Sequence, residues 1–239
     1  MKPLLVLAAF PMVLMGWASC SHSGTGHAAL PDPRAVDKSV PEYKNPFHPS
    51  TYAHFVARKD YRKTYDVYKD DTLLNRQPKK SRKIFVCLDE QRGQYLVDGL
   101  VAMDFPLSSG VKAYPTKTGD YAVISKKEDH TSNLYGKMYD AEGKCINYNA
   151  ESTDPIPEGG RFDGSPMPYW QRLTNAGLGL HAGTVRRHPV SHGCVRLPRN
   201  VAEILYRQTS IGTPVTIQKT PLPVPEIQKV PAGQQHKGV

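Results

Sequence analysis

The chain has 239 residues, and its 31 lysines and arginines outnumber its 22 aspartates and glutamates, which gives a net charge of +9 at pH 7. This excess favours anionic neighbours such as phospholipid surfaces or acidic polymers. No nucleic-acid-binding motif accompanies the charge, so nucleic acid is excluded as an expected partner. About 140 residues remain once the flanking segments are set aside, which is enough for one domain with its own core.

The first 20 residues indicate an export signal. Lys2 supplies a minimal positive region, and the apolar run from Leu4 to Trp17 is shorter than the roughly 20 residues that a membrane-spanning helix needs. Ala18-Ser19-Cys20 resembles the end of a bacterial lipoprotein signal, although Trp17 stands where such signals usually carry an aliphatic residue. We therefore expect an exported protein of the cell envelope or periplasm, anchored to the membrane through a lipidated Cys20. Simple cleavage and release is the alternative.

Two segments precede the compact part of the chain. Residues 21–50 are polar and rich in Pro, Gly, Ser and His, which is typical of a disordered tether. Residues 51–81 carry aromatic side chains among many lysines and arginines, which predicts a strap that packs its rings on the domain while its charges face water. The aromatic residues of this strap are Tyr52, Phe55, Tyr61, Tyr65 and Tyr68.

Residues 82–219 have the pattern of a mostly β domain. Ile84–Leu88 is a short apolar run that suits a buried strand. Asp98-Gly99 stands between two apolar runs, which predicts a hairpin with a tight turn. Asp120–Ile124 follows a turn-rich loop as a further strand. Short strands with many turn residues favour a β-sandwich.

One helix is predicted near the end of the domain. Pro198 can open it in the first turn, and apolar residues then recur at helical spacing through Arg207. A last strand follows at Val215–Ile217, so the fold is expected to hold one or two short helices. Residues 220–239 are rich in Pro and Lys and are predicted to form a flexible tail.

A long polar segment interrupts the domain at residues 126–168. It holds many Gly, Asp, Asn and Pro and shows no helical period. Connections this long inside a compact domain are uncommon, and they are usually binding loops or lids. We expect a long loop insertion that covers the functional site, with an insertion packed elsewhere as the alternative.

The chemistry concentrates between Gly179 and Leu197. A thiol is a useful nucleophile only as a thiolate, and a nearby imidazole can take its proton and return it later to a leaving amine. This stretch supplies both groups in His181 and Cys194. Gly193 lets the backbone turn its N–H groups toward a developing oxyanion. Arg196 places a positive charge beside the thiol, where it lowers the thiol pKa or holds a substrate carboxylate.

These residues resemble the L,D-transpeptidase catalytic domain family, also called YkuD-like. The resemblance rests on His181-Ala182-Gly183-Thr184 followed by Ser191-His192-Gly193-Cys194-Val195-Arg196-Leu197, with Pro115–Gly119 as a weaker match. It implies a sandwich of mixed sheets, Cys194 as nucleophile and His181 as base. Ala182 stands where some members carry a serine that orients the histidine, so only a backbone carbonyl remains for that role. The candidates for the oxyanion and substrate face are His192, Gly193, Arg196, Ser191, Gly183, Thr184, Tyr169 and Trp170.

Other interpretations of these residues remain. A zinc site would use His181, His188, His192 and Cys194, but their spacings of 7, 4 and 2 match no common structural-zinc pattern. Cys194 as a buried structural thiol is a second alternative, and core packing is the alternative for Tyr169 and Trp170. Cys87 and Cys145 would pair or stay free in an oxidising compartment.

The resemblance implies an enzyme that acts on the tetrapeptide stems of peptidoglycan through a thioester on Cys194. D-alanine leaves, a cross-link forms, and neither a metal nor an organic cofactor is expected, since the protein carries the acyl group itself. Water or a protein amine as the acceptor would make it a carboxypeptidase or a protein-attachment enzyme. A non-catalytic cell-wall-binding anchor is the alternative from another class.

Overall fold

The computed structural model describes residues 30–77 and 81–230. The expected signal at residues 1–20, with Cys20, lies outside the described residues, as does the first part of the expected tether. In the two described ranges, no helix combines the length and the apolar character needed to cross a membrane.

The described residues form a mostly β fold, as the sequence predicted, with strands in three sheets. The strands are β1 (Tyr68–Lys69), β2 (Arg82–Cys87), β3 (Arg92–Val97), β4 (Leu100–Pro106), β5 (Gly119–Ala122), β6 (Ser125–Lys127), β7 (Thr131–Tyr139), β8 (Cys145–Glu151), β9 (Arg161–Pro166), β10 (Trp170–Arg172), β11 (Gly179–Ala182), β12 (Val195–Leu197) and β13 (Pro214–Gln218). The helices are α1 (Tyr52–Ala57), α2 (Asp71–Leu74), α3 (Arg199–Gln208) and a 3-10 turn (Glu226–Gln228). Two of these helices lie in the strap, where none was predicted.

The six-stranded sheet has the order β1-β4-β3-β2-β13-β5 and is mixed, because β13 pairs with β2 in parallel. The β3–β4 hairpin turns at Asp98 and Gly99, whose φ values are +50° and +79°. Both central residues therefore adopt the left-handed conformation that suits the twist of a two-residue hairpin turn. The predicted hairpin is confirmed.

The main core lies between this sheet, the four-stranded sheet β12-β11-β10-β6 and helix α3. Tyr95 and Phe105 from the first sheet, Leu180 from the second and Leu205 from α3 are all fully buried in it. A buried side chain of this kind contributes about 1.5–3 kcal/mol by leaving water. The core thus fixes β11, which carries His181, and β12, which follows directly after Cys194.

Helix α1 and the strap residues that follow it cover the other face of the six-stranded sheet, whereas helix α2 packs into the main core. Tyr52 and Tyr61 are almost fully buried, and both hydroxyls donate to Asp104 of β4, at 2.6 and 2.9 Å. Arg92 of β3 is fully buried and donates its Nε to the same carboxylate. Because buried charges are stable only when they are paired and hydrogen-bonded, this cluster ties the strap to one place on the sheet. Tyr65 remains exposed.

The flanks pack more closely than the sequence suggested. Residues 30–50 were expected to belong to a disordered tether, yet Phe47 is fully buried and Lys38 Nζ donates to the carbonyl of Val56 at 2.8 Å. The first part of the expected tail also docks, since the Gln228 side chain pairs with both backbone groups of Val101 at 2.9 Å. Scattered apolar residues in these segments complete the cover of the sheet, so the described parts of both are ordered by packing.

The expected loop at residues 126–168 is instead largely sheet. After β6, strands β7, β8 and β9 form an antiparallel sheet of the order β8-β7-β9. We call residues 131–166 the flap. The backbone N–H and C=O groups of its strands form hydrogen bonds with one another. A polar segment can form such a sheet without an apolar core. The prediction of an irregular loop was therefore wrong.

Candidate active site

Two parallel strands bring the halves of the motif together. β11 carries His181, and β12 begins one residue after Cys194. In the register of this pair, Leu180 faces Val195 and His181 faces Arg196. Both His181 and Cys194 line one cleft of about 890 Å³, of which the flap forms one wall. Such a volume accommodates a peptide-sized ligand.

His181 is held as a neutral base. The residue is 6% exposed, and Nδ1 lies 2.8 Å from the carbonyl oxygen of Ala182. A carbonyl only accepts hydrogen bonds, so Nδ1 carries the proton and Nε2 keeps a free lone pair. Burial lowers the pKa of His181 to about 4, and the charge of Arg196 acts in the same direction. A backbone carbonyl thus takes the orienting role, as expected for a chain with alanine at position 182.

Cys194 rests as a thiol. Its Sγ donates to the carbonyl of Gly177 at 3.3 Å. Burial raises the pKa of the thiol, and the Gly179 backbone and the Arg196 charge offset this only in part. Among the described residues, no hydrogen bond joins Sγ to the ring of His181. Both groups of the resting pair are therefore neutral.

The turn before Cys194 is built by side-chain hydrogen bonds. The Ser191 hydroxyl donates to the carbonyl of Cys194 and accepts from the Gly193 N–H at 3.1 Å. Thr116 Oγ1 donates to the Gly193 carbonyl at 2.7 Å and accepts from the Gly110 N–H at 2.8 Å. Gly193 has φ +111°. A Cβ added to Gly110 would lie only 2.8 Å from the Cα of Gly193. Both positions therefore need glycine.

One backbone donor of this turn is already in use, because the Gly193 N–H is bonded to the Ser191 hydroxyl. The expectation that backbone N–H groups at this turn face a developing oxyanion therefore remains a prediction for the other N–H groups. Ser191 is 2% exposed and acts as a support for the turn. Thr116, which lies in the weaker family-like match at residues 115–119, holds the same turn from the other side.

The cleft is cationic. Among the described residues that line it there is no aspartate or glutamate, whereas four side chains are positive: Lys117, Arg172, Arg196 and Arg199. Within residues 30–77 and 81–230, the guanidinium of Arg196 has no hydrogen-bond or carboxylate partner. Gly183 lies against its aliphatic stem, and Thr184 is exposed beside it on the cleft wall. An unpaired guanidinium in an acid-free cleft is suited to bind a carboxylate.

A family model for the YkuD L,D-transpeptidase catalytic domain matches residues 81–217, which is more than half of the chain. This chain belongs to that family. Over 121 residues it is 31% identical to the probable L,D-transpeptidase 3 of Mycobacterium tuberculosis, a stretch that covers 48% of this chain and 38% of that protein.

Solved structures of L,D-transpeptidases also match. The catalytic domain from Enterococcus faecium is 28% identical, with a TM-score of 0.42 over 58% of this chain and 98% of that one. An L,D-transpeptidase in complex with imipenem is 21% identical, with a TM-score of 0.44 over 58% of this chain and 59% of that one.

In this L,D-transpeptidase domain, aromatic rings connect the flap to the catalytic turn. The ring of His192 stacks on Tyr135 of β7 at 4.3 Å and 18°, and lies 4.8 Å from Tyr114. The Tyr114 hydroxyl donates to Glu151 of β8 at 3.3 Å. Sequence reasoning did not single out Tyr114 or Tyr135, because aromatic residues in polar segments carry no signal of what they touch.

Neither Tyr169 nor Trp170 lines the cleft. Trp170 is 3% exposed, and its ring lies 6.0 Å from that of His181 and 5.0 Å from that of His130. Tyr169 packs on Tyr206 of α3. The described geometry matches the packing alternative for both residues.

The zinc alternative finds no support in the geometry. Among residues 30–77 and 81–230, no three His, Cys, Asp or Glu side chains come close enough to hold a metal ion. His188 is exposed, and its Nδ1 lies 3.0 Å from the carbonyl of Arg186. Cys87, Cys145 and Cys194 are all free, so the pairing considered for Cys87 and Cys145 is absent from this structure.

Proposed function

We propose that this protein is an L,D-transpeptidase that cross-links peptidoglycan stems through a thioester on Cys194. The observation that carries the proposal is that the family motif places Cys194 and an oriented, neutral His181 in the wall of one cleft. The chain spans 38% of the length of the curated relative that it matches. We therefore infer the activity from the residues of this site and do not transfer it from that relative.

The first step forms the acyl-enzyme. His181 Nε2 takes the Cys194 proton as the sulfur attacks the carbonyl of the third residue of a tetrapeptide stem. A carbon–sulfur bond forms, and the carbonyl oxygen becomes an oxyanion. The Cys194 N–H is our candidate donor to this oxyanion, because the Gly193 N–H is already bonded to Ser191.

The second step releases the leaving group. The oxyanion collapses and the carbon–nitrogen bond to the terminal D-alanine breaks. His181, now an imidazolium, gives its proton to the departing amine. Burial lowers the pKa of this imidazolium and makes it a stronger acid than an ordinary histidine, which favours protonation of the leaving group. A thioester remains on Cys194.

The third step transfers the acyl group. The side-chain amine of a second stem attacks the thioester, and His181 accepts one of its protons. The carbon–sulfur bond breaks, a new amide forms, and the sulfur recovers its proton from His181. The flap restricts the access of water to this cleft, which favours the amine over water as the acceptor.

The charge of the cleft supports an anionic peptide as the substrate. Peptidoglycan stems carry several carboxylates, and the cleft offers four cations without a competing acid. We assign the unpaired guanidinium of Arg196 to one of these carboxylates, since its charge acts on the Cys194 thiol. A planar fork binds a carboxylate through two hydrogen bonds.

Incubation of the purified protein with disaccharide-tetrapeptides, followed by mass spectrometry of the products, tests the proposal. We expect cross-linked dimers that have lost one D-alanine. Tripeptides alone would make the protein a carboxypeptidase. Unchanged tetrapeptides with bound wall material would support the non-catalytic anchor and contradict the proposal.

We also propose that the enzyme acts outside the cytoplasmic membrane and is held there by a lipid on Cys20. The proposal rests on the apolar run that ends before Ala18-Ser19-Cys20. Fractionation of cells that express wild type and Cys20→Ser tests it. The variant should move from the membrane fraction to the soluble fraction. A wild type that is already soluble would contradict lipidation.

A further inference from the structure

Arg187 connects the catalytic loop to the strap. It lies in the loop at residues 183–190, between His181 and Cys194, and has φ +57°. Its Nη1 donates to the carbonyls of Thr64, at 2.6 Å, and Tyr61, at 3.3 Å. Its Nη2 donates to the carbonyl of Glu90 at 2.9 Å. One guanidinium therefore ties the loop both to the strap and to the turn between β2 and β3.

The strap segment whose carbonyls accept hydrogen bonds from Arg187 is itself held in place by other hydrogen bonds. The fully buried Arg92 donates to the same Thr64 carbonyl at 3.2 Å and to that of Asp66 at 3.1 Å. Its Nε is paired with Asp104, which also accepts from the Tyr61 hydroxyl. Arg187 thus meets a segment that the buried Asp104 cluster already holds in place.

The loop has few other anchors of its own. The Arg186 N–H donates to the Ser108 hydroxyl at 2.8 Å, and the N–H groups of Gly183 and Val190, at the two ends of the loop, donate to the carbonyls of Leu197 and Ser109, both at 2.9 Å. Most of its side chains face water, whereas that of Arg187 turns inward. The left-handed backbone of Arg187 is unfavourable for a residue with a Cβ. Three charge-assisted hydrogen bonds offset that cost.

We propose that Arg187 is a positioning residue for the catalytic pair, and that the strap at residues 61–66 is a required part of the catalytic unit. This inference rests on the proposed function. The strap lies before residues 81–217, which the family model matches. Arg187 does not line the cleft. It acts by fixing the loop that links His181 to the turn of Cys194.

The expected effect follows from geometry. A displacement of about 1 Å at reacting groups costs on the order of 10²-fold in rate. A loop that loses one of several anchors is displaced for part of the time, so we expect a loss of about tenfold. Lysine keeps the charge but offers a single ammonium in place of a planar fork. It reaches fewer of the three carbonyls and should rescue the rate only in part.

The experiment compares Arg187→Gln and Arg187→Lys with Arg186→Gln, a matched change at the exposed neighbour. The rate constant for acylation of Cys194 by imipenem is measured by intact-mass spectrometry, at a temperature where circular dichroism shows every variant folded. We expect a loss of about tenfold for glutamine, a smaller loss for lysine and a wild-type rate for Arg186→Gln. The dissociation constant of the non-covalent complex should stay unchanged.

Wild-type acylation in Arg187→Gln, or equal losses in Arg187→Gln and Arg186→Gln, would overturn the role of Arg187. If the glutamine variant does not fold, Arg187→Lys decides, and a wild-type rate there overturns the proposal. Tyr61→Phe, which removes the hydroxyl bond to Asp104, should also slow acylation. A wild-type rate in that variant would overturn the part assigned to the strap.

Failure of the proposed function itself would look different. A wild type that imipenem does not acylate would count against a transpeptidase. The same variants would then be compared by alkylation of Cys194 with iodoacetamide across pH. A looser loop admits more water to the partly buried thiol, so the midpoint should move to lower pH in Arg187→Gln only. Superimposable profiles would overturn the positioning role.

Discussion

The neutral state of His181 makes folding stability depend on pH in a defined window. The pKa of His181 is about 4 in the folded protein, against about 6.5 for an ordinary histidine. Between these values the unfolded chain binds more protons at this site than the folded chain. The free energy of unfolding therefore rises with pH, and stability present above pH 6.5 is lost as the pH falls toward 4.

The magnitude follows from the interval between the two pKa values. Each pH unit corresponds to about 1.4 kcal/mol, so the full interval corresponds to about 3 kcal/mol. Solvent screens little of this free energy, because His181 is only 6% exposed. His130 and His192 contribute in the same direction, since burial lowers their pKa values as well. A variant of His181 is needed to separate its share.

Urea unfolding of wild type and His181→Gln at pH values from 4 to 7.5 measures this share. The difference in unfolding free energy between the two proteins should change by about 3 kcal/mol across the window. His188→Gln is the matched control, because His188 is exposed, and its curve should run parallel to that of wild type. Parallel curves for His181→Gln would refute a buried neutral imidazole.

Three further predictions concern the cluster, the cleft and the flap. Asp104→Asn leaves Arg92 buried without its counter-charge and should cost about 3–5 kcal/mol of unfolding free energy, whereas Asp163→Asn breaks an exposed pair and should cost less than about 1 kcal/mol. Urea unfolding at pH 7 measures both, and equal costs would contradict the buried pair. Arg196→Lys should lower kcat/KM for the donor stem about tenfold or more, because it loses the two-point fork. Full activity would reduce Arg196 to a general positive charge. Tyr135→Ala removes the ring stacked on His192 and should raise the share of hydrolysed product, which mass spectrometry measures. An unchanged ratio of hydrolysed to cross-linked product would show that the flap does not influence the choice between water and amine.

The sequence predicted the parts of this protein that depend on local patterns. The hairpin at Asp98 and Gly99 follows from turn chemistry, and helix α3 follows from the spacing of Val201 and Leu205. His181 and Cys194 stand within a short motif that combines an imidazole with a thiol, the residue types of cysteine-based acyl transfer. These features need no knowledge of distant contacts.

The flap was missed because its strands lack the alternation that marks a half-buried strand. Along β7 only Ser132, Gly136 and Met138 are buried, and most of β8 and β9 is exposed. A strand in such a sheet is held by its neighbours' backbone groups and not by an apolar face. Composition then favours a loop.

The role of Arg187 was missed for a related reason. Its partners are the main-chain carbonyls of Tyr61, Thr64 and Glu90, which are distant in sequence. Every residue has a main-chain carbonyl, so the residue types at these positions do not reveal the contact. The docking of Phe47 depends likewise on a surface that exists only after the sheet has formed. Contacts of this kind leave no periodic or motif signal.

Trapping the acyl-enzyme tests the central claim most directly. Wild type, Cys194→Ala and Cys145→Ala are each mixed with a tetrapeptide donor without an acceptor, quenched in acid and measured by intact-mass spectrometry. Cys145 is the matched control because its thiol is also free and partly exposed. We expect an added mass of the donor minus D-alanine on wild type and Cys145→Ala, with none on Cys194→Ala. An adduct retained in Cys194→Ala, or cross-links formed by that variant, would contradict a thioester on Cys194.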